Sequence, residues 1–460
     1  MASLSTLFSL ILVLSSSGVF YTAQSKTFWG DIQVLKQLKY ALQNASVTPG
    51  SCLSSWDFTL DPCDNLFSEK FTCGFRCDVV VSGSSRLTEL TLDQAGYAGS
   101  LASSSTWNLP YLETLDVSNN YFSGQIPESL SNLTRLRRLA LSGNSFTGEI
   151  PSSIGSLSNL EELYLDNNNL EGPIPSSLNK LKRLKRLEIQ INNLNGHIPT
   201  DLGSLTDLYY LDISDNAITG GIPASLPNSL VELSARNNSL SGFLTSESFR
   251  DLMYLQVLDL SYNKLTGSVP IVLFEIPSLE QLSLSFNELS SMEIPASSSS
   301  YNLGSESGLI AVDLSNNGIE GLLPSFMGMM PKLTSLSLEN NKFTGMIPTQ
   351  YALKTVFPEE DVSAFERLLL GGNYLIGGIP SPLLVLKEGS ANVRLGDNCL
   401  YRCPLRKRKR SDRFCACVVC LTYERWKHVR FHVWRSSILI WNNSQMLLNQ
   451  RLSLPLLSVP

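Results

Sequence analysis

An α/β repeat solenoid is the fold class this sequence predicts, and two observations predict it. Twelve asparagines (Asn120, Asn144, Asn168, Asn192, Asn216, Asn238, Asn263, Asn287, Asn317, Asn341, Asn373 and Asn398) recur mostly every 24 residues, each after an alternating apolar run. A Gly-x-Ile-Pro turn follows many of them. A unit of this size cannot bury its apolar face alone, so the units must stack into one elongated body. Length alone would suggest two or three domains, and the repeat removes that expectation. Stacking builds a long curved surface and no catalytic cleft, so binding is the expected function.

The elements follow in chain order. Leu7 to Val19 is an apolar and serine stretch ahead of the small-residue site Ala23-Gln24-Ser25, which reads as a signal peptide over residues 1–25. Ser15-Ser16-Ser17 interrupts it, and a membrane span needs about 20 apolar residues. Residues 26–85 form a cysteine-rich cap, with Cys52, Cys63, Cys73 and Cys77 around Trp56 and Asp61-Pro62-Cys63. An open solenoid exposes its core at its ends, and disulfides cover such ends in an oxidising compartment. Four cysteines allow three pairings. Cys73-x-x-x-Cys77 has no histidine nearby, so a zinc site is not expected.

Residues 86–398 hold the repeats. Leu112, Leu115, Val117, Asn120 and Phe122 fit L-x-x-L-x-L-x-x-N-x-L, and the register recurs at Leu160, Leu163, Leu165, Asn168 and Leu170 and at Leu333, Leu336, Leu338, Asn341 and Phe343. The alternation in Leu163-Tyr164-Leu165 is that of a short strand with inward leucines, and successive strands should pair in parallel. Each following Asn sits where the chain turns away, its amide able to donate to and accept from unpaired backbone groups. Ala95 takes the Asn place of an incomplete leading repeat. At about 4.8 Å per strand the array runs roughly 55 Å.

Gly124-Gln125-Ile126-Pro127, Gly148-Glu149-Ile150-Pro151, Gly172-Pro173-Ile174-Pro175, Gly196-His197-Ile198-Pro199, Gly267-Ser268-Val269-Pro270 and Gly345-Met346-Ile347-Pro348 follow the asparagines. Glycine permits a positive-φ turn, and proline ends strand pairing and starts the convex side. With these turns the sequence resembles the plant extracellular type of leucine-rich repeat over residues 52 to about 404. That type occurs in receptor-like proteins, receptor-like kinase ectodomains and polygalacturonase-inhibiting proteins. The resemblance implies a superhelix with a parallel concave sheet and disulfide-capped ends, and ligands or co-receptors on the concave face or its flank. It also implies Cys63 paired with Cys73, which leaves Cys52 with Cys77. The 30-residue gap from Asn287 to Asn317, with Ser297 to Ser300, and the 32-residue gap from Asn341 to Asn373, with Phe357 to Asp361, are expected as surface loops. Gly242-Phe243-Leu244 lacks the proline, so an irregular convex side is expected there.

Cys399 and Cys403 mark a remnant C-terminal cap, residues 399–404. Residues 401–460 hold 12 Lys and Arg against 2 Asp and Glu, so the formal −6 of the chain divides into +10 here and −16 elsewhere. Arg406-Lys407-Arg408-Lys409-Arg410 has the composition of a nuclear address, which would go unread in a secreted chain. The apolar stretches after it are too short to span a bilayer. The expectation for 405–460 is a truncated or read-through terminus, basic and largely disordered.

Catalysis finds no support. The only histidine before the tail is His197, in a Gly-x-Ile-Pro turn, so no His-based triad can form in the array. No kinase signature set is present, and no cofactor or metal is expected. Candidate ligand contacts are outward positions where a large or charged side chain replaces the usual Asp or Ser: Tyr164, Glu188, Arg236, Tyr262 and Phe286, with Arg137, Arg138, Lys185, Arg186, Tyr209 and Tyr210 beside them as a basic and aromatic patch. Tyr and Arg dominate binding hot spots. Sequons at Asn44, Asn132, Asn237 and Asn442 are candidate glycosylation sites. The expected protein is a secreted, non-enzymatic recognition protein with a peptide, glycan or protein ligand, and by resemblance a receptor-kinase co-receptor. No nucleic-acid partner is expected. The alternative is a secreted inhibitor of a cell-wall polygalacturonase.

Overall fold

The computed structural model describes residues 26–103, 107–294, 306–387 and 389–401, all in the larger of two structural units, Met1–Val418. The expectations for the leader 1–25, Ser297 to Ser300, Cys403, the tail 405–460 and its Asn442 sequon lie outside the described residues.

Each repeat contributes a three-residue strand whose middle residue is buried. In Glu162–Tyr164, Leu163 pairs in register with Leu139 on one side and Leu187 on the other. The near-constant repeat spacing carries this register along thirteen parallel strands, from Glu89–Thr91 to Asn392–Arg394. The cap strand Phe75–Arg76 adds antiparallel at the N-terminal edge, completing a sheet of 14. Inward leucines form one continuous apolar core, while outward residues such as Glu162 and Tyr164 stay half-exposed.

All twelve asparagines sit as the ladder predicts. Asn168 Nδ2 donates to the carbonyls of Leu141 (3.0 Å), Leu165 (3.1 Å) and Asp166 (3.1 Å), while its Oδ1 accepts from Phe146 N at 3.0 Å. Two of these four bonds reach back into the preceding repeat. At the array's start Asn120 Oδ1 takes Gly96 N and Tyr97 N, so the Ala95 rung is completed by its successor. The residue before each ladder Asn adopts positive φ, as at Asn119 (+56°), Asn167 (+53°) and Ile191 (+55°).

Past the asparagines the chain forms a second set of strands that the sequence reading did not anticipate. Tyr121–Gln125, Ser145–Glu149 and Asn169–Pro173 pair in parallel within a five-stranded sheet, and two four-stranded sheets continue the series. Nesting side chains explain the glycines here beyond their positive φ. A Cβ at Gly267 (φ +81°) would lie 2.4 Å from the Phe243 ring, and one at Gly345 2.5 Å from Leu322. The prolines then start short 3-10 turns, such as Ser152–Ser156 and Ser176–Lys180. Where the proline is missing, after Phe243, the turn is instead the α-helical Ser246–Phe249.

The N-terminal cap is fastened to the array by charge and stapled within itself by sulfur. Its helix Trp29–Ala41 buries Val34, Leu35, Leu38 and Asp31. Asp31 accepts from Arg86 Nε (3.0 Å), Arg86 Nη2 (2.9 Å) and Leu87 N (2.9 Å), and the guanidinium lies between the rings of Phe28 and Tyr111. The disulfides are Cys52–Cys73 and Cys63–Cys77, which corrects the pairing implied by resemblance. Local packing explains it. The Trp56 indole donates to Cys73 O at 2.9 Å and holds Cys73 against the helical turn Cys52–Ser55, with a Cα separation of 5.0 Å. Cys399 is also disulfide-bonded.

In the gap after Asn341 the expected surface loop Phe357 to Asp361 is exposed and irregular, and it is preceded by the helix Thr349–Val356, which buries Tyr351, Ala352 and Lys354. Phe357 behind it is exposed. Lys354 Nζ donates to Met330 O at 2.6 Å and lies 5.3 Å from the Phe365 ring centre. Burial lowers its pKa from 10.5 to about 8.

Two outcomes follow from this packing. Asn168→Ala removes the acceptor of Phe146 N and one of two donors from each of the carbonyls of Leu141, Leu165 and Asp166, and should lower unfolding free energy by about 2 kcal/mol in urea titration. For Lys354, below about pH 8 both folded and unfolded chains hold the proton, and the full desolvation cost is present. Above that, the folded chain releases a proton the unfolded chain keeps until about 10.5, so this site's contribution to stability rises with pH. Between pH ~7 and ~9.5 the wild type should gain about 2 kcal/mol relative to Lys354→Met, compared by urea midpoints.

Candidate functional site

The sheet face is built from the first and third residues of each short strand, which alternation turns away from the core. Identical register brings these positions together at the spacing of neighbouring strands, so residues 24 apart in sequence become neighbours. Arg138, Tyr164, Arg186, Glu188 and Tyr210 therefore form one group. The Arg138 guanidinium lies 4.4 Å from the Tyr164 ring centre, and that of Arg186 lies 3.6 Å from Tyr210 and 6.0 Å from Tyr164. Interleaved this way, the two arginines and two tyrosines make a cation–π column across four strands.

The charges of that column are matched within the face. Arg138 pairs with Glu162 and, at 3.5 Å, with Asp116, while Arg186 pairs with Glu188. Tyr164 hydroxyl donates to Glu162 Oε2 at 3.2 Å. On the adjoining flank, Arg137 Nε (2.9 Å) and Lys185 Nζ (2.7 Å) converge on Glu161, and Tyr209 is 39% exposed beside them. A depression of about 440 Å³ lies over the Arg138, Tyr164 and Glu188 part of the group, lined also by Asp116, Ser142 and Asp166.

Burial, with neighbouring negative charge, sets the titration of this face. Asp166, Asp212 and Glu232 are held above the usual carboxylate range by burial first, and by Glu188 or Asp212 beside them. Burial and the carboxylates of Glu232, Asp212 and Glu188 push the Tyr210 hydroxyl up to about 12. Apart from Glu188, these carboxylates are the part of the face that sequence reading passed over as bland scaffold. Their signal was present: counting the outward positions from Glu89 to Ser234 gives six carboxylates against two guanidiniums. The patch that reads as basic in the sequence is thus part of a face with an excess of negative charge.

Arg236, Tyr262 and Phe286 stand apart, on the rim where the strand turns into the ladder. Tyr262 and Phe286 stack at 4.2 Å with planes 11° apart, and Arg236 lies 5.3 Å from the Tyr262 ring. Both aromatics hold φ of +56° and are 42% exposed. The sequon asparagines Asn44, Asn132 and Asn237 are exposed, and Asn237 Nδ2 donates to Asp215 Oδ1 at 2.7 Å. Among the described residues no cluster of His, Cys, Asp or Glu could hold a metal ion, and no helix is long and apolar enough to cross a membrane.

This geometry, a parallel sheet with an open face backed by an asparagine ladder, defines a leucine-rich repeat protein. The chain belongs to that family: it matches the leucine-rich repeat region over residues 90–348, more than half of its length. Among curated proteins it is similar to Receptor-like protein 7 of Arabidopsis thaliana, 36% identical over 159 residues, 34% of this chain and 14% of that protein. It is also similar to Receptor-like protein 39 of the same plant, 33% identical over 187 residues, 36% of this chain and 20% of that protein. The chain thus spans a fifth or less of the length of these relatives. Among solved structures, that of PEPR1 with AtPEP1 is 31% identical, with a TM-score of 0.67 over 81% of this chain and 49% of that one. The leucine-rich repeat ectodomain of the membrane receptor kinase GASSHO1/SCHENGEN3 from Arabidopsis thaliana, in complex with CASPARIAN STRIP INTEGRITY FACTOR 2, is 36% identical, with a TM-score of 0.63 over 71% and 38%.

The rim yields a test of backbone strain. Ile191 is β-branched, 51% exposed and held at φ +55°, where neighbouring repeats place Asn, Asp or Gly. Ile191→Asn should stabilise the chain by about 1 kcal/mol in urea titration.

Proposed function

We propose that this chain is a non-enzymatic extracellular recognition protein that captures a peptide or protein ligand on its sheet face, in a receptor-like role. One observation carries the reading: the Arg138, Tyr164, Arg186 and Tyr210 column, half-exposed and locked by ion pairs, is a preorganised surface of hot-spot residue types. The relatives support it. PEPR1 and GASSHO1/SCHENGEN3 were solved with AtPEP1 and CASPARIAN STRIP INTEGRITY FACTOR 2, and RGFR1, 32% identical with a TM-score of 0.62, is a plant peptide hormone receptor in complex with RGF2. The cap disulfides fit an oxidising compartment such as the cell exterior. The similarity to receptor-like proteins makes a receptor-kinase co-receptor the partner this reading proposes.

Panning a random displayed-peptide library against the full chain tests the reading. Peptides enriched by the wild type should lose at least about thirty-fold in affinity for the triple variant Tyr164→Ala, Arg186→Ala, Tyr210→Ala, as expected when two or more hot spots are removed. The melting temperature should move by only a few degrees. Retained affinity would place capture elsewhere on the array. Inhibition of a polygalacturonase by the wild type would favour the inhibitor role instead.

A further inference from the structure

We infer that the ligand of this face is cationic, an extended peptide segment presenting Lys or Arg side chains to the strands between Glu89 and Ser234. The inference rests on the proposed recognition role and names the chemistry of its ligand. The face carries its excess of carboxylates at fixed positions, and the two arginines within it are already committed to Asp116, Glu162 and Glu188. Asp166, Asp212 and Glu232 lie in no ion pair among the described residues. Their hydrogen bonds come from neutral groups: Ser142 Oγ donates to Asp166, and Ser214 N (2.9 Å) and Oγ (2.6 Å) donate to Asp212.

A second observation points the same way. Gln190 Nε2 donates to Glu188 Oε2 at 3.1 Å, while its Oε1, itself buried, has no hydrogen-bond partner. Turning the amide over would set oxygen against the Glu188 carboxylate, so the acceptor stays without a donor in the midst of the acidic positions. Partly dehydrated carboxylates held close to one another, with Arg186 the one cation acting on Glu232, are relieved by a further cation, and one that also brings N–H donors suits them best.

The arrangement also separates a peptide from a metal ion. The unpaired carboxylates come from two strands, at Asp212 and Glu232, and from the turn after a third, at Asp166, and they do not converge on one point. An ion needs several oxygens at a single centre, whereas an extended chain offers a side chain to the same surface roughly every 7 Å. The flanking tyrosines add aromatic surface beside which the alkyl stems of Lys and Arg can lie.

Labelled octalysine and octaglutamate, titrated against the full chain by fluorescence anisotropy at low and high salt, test the inference. The variant Asp166→Asn, Asp212→Asn, Glu232→Gln keeps every oxygen that accepts from serine and removes only charge. It should weaken octalysine binding at least about ten-fold, whereas Glu128→Gln, Glu149→Gln, Glu171→Gln, an equal charge change away from the face, should alter it less than about two-fold. Equal weakening by both variants, or displacement of octalysine by octaglutamate, would overturn the inference. The library-selected peptides keep the two readings apart. If they depend on Tyr164, Arg186 and Tyr210 yet bind the neutralised variant as well as wild type, the recognition role stands and the cationic ligand falls. If they depend on neither variant, both fall.

Discussion

The side-chain amide of the repeated asparagine is the interaction on which the rest of this structure depends. A chain that leaves a three-residue strand and turns at once strands several backbone groups inside the body, where each unpaired group costs about 1–3 kcal/mol. One amide at each turn bonds four of them, as Asn168 does for Phe146 N and for the carbonyls of Leu141, Leu165 and Asp166, which it shares with Asn144, Asn192 and Gly143. That permits strands short enough to stack at each repeat, and short strands in fixed register place Arg138, Tyr164, Arg186 and Tyr210 side by side. The ladder thus positions the outward sheet face without contributing an atom to it.

The face is held by mutual constraint. Each arginine is pinned by a carboxylate and lies against a tyrosine ring, so side chains that would otherwise sample many rotamers are ordered before any ligand arrives. The cost of this order is visible in the carboxylates left over, whose protonation is favoured by burial and by each other.

The repeat period, the inward leucines and the ladder asparagines were legible in the sequence, because each is a local pattern with a direct physical cause. The second set of strands was not, since the stretch from Asn169 to Pro173 holds a Glu-Gly pair that carries no strand pattern of its own and pairs only because its neighbours do. The cap disulfides were beyond reach for another reason: Trp56 sets the position of Cys73 through a contact 17 residues away in sequence. In the candidate site, sequence found the arginines and tyrosines as unusual types at outward positions. It missed Asp212 and Glu232 because an acidic residue there looks like a solvated scaffold until its neighbours across the strands are known. The surface loop expected at Phe357 to Asp361 is exposed and irregular as read, whereas the helix Thr349–Val356 ahead of it was not anticipated, because it forms where Tyr351 and Ala352 find core to bury against.

The direction of the ladder bonds has a consequence for how this chain comes into being. Every asparagine reaches back to the repeat before it, and the Ala95 rung shows a repeat taking its last donors and acceptors from the one ahead. A repeat leaving the ribosome is therefore finished only when its successor emerges. Structure should advance along the nascent chain one unit behind synthesis, with the unfinished edge always carried by the newest repeat.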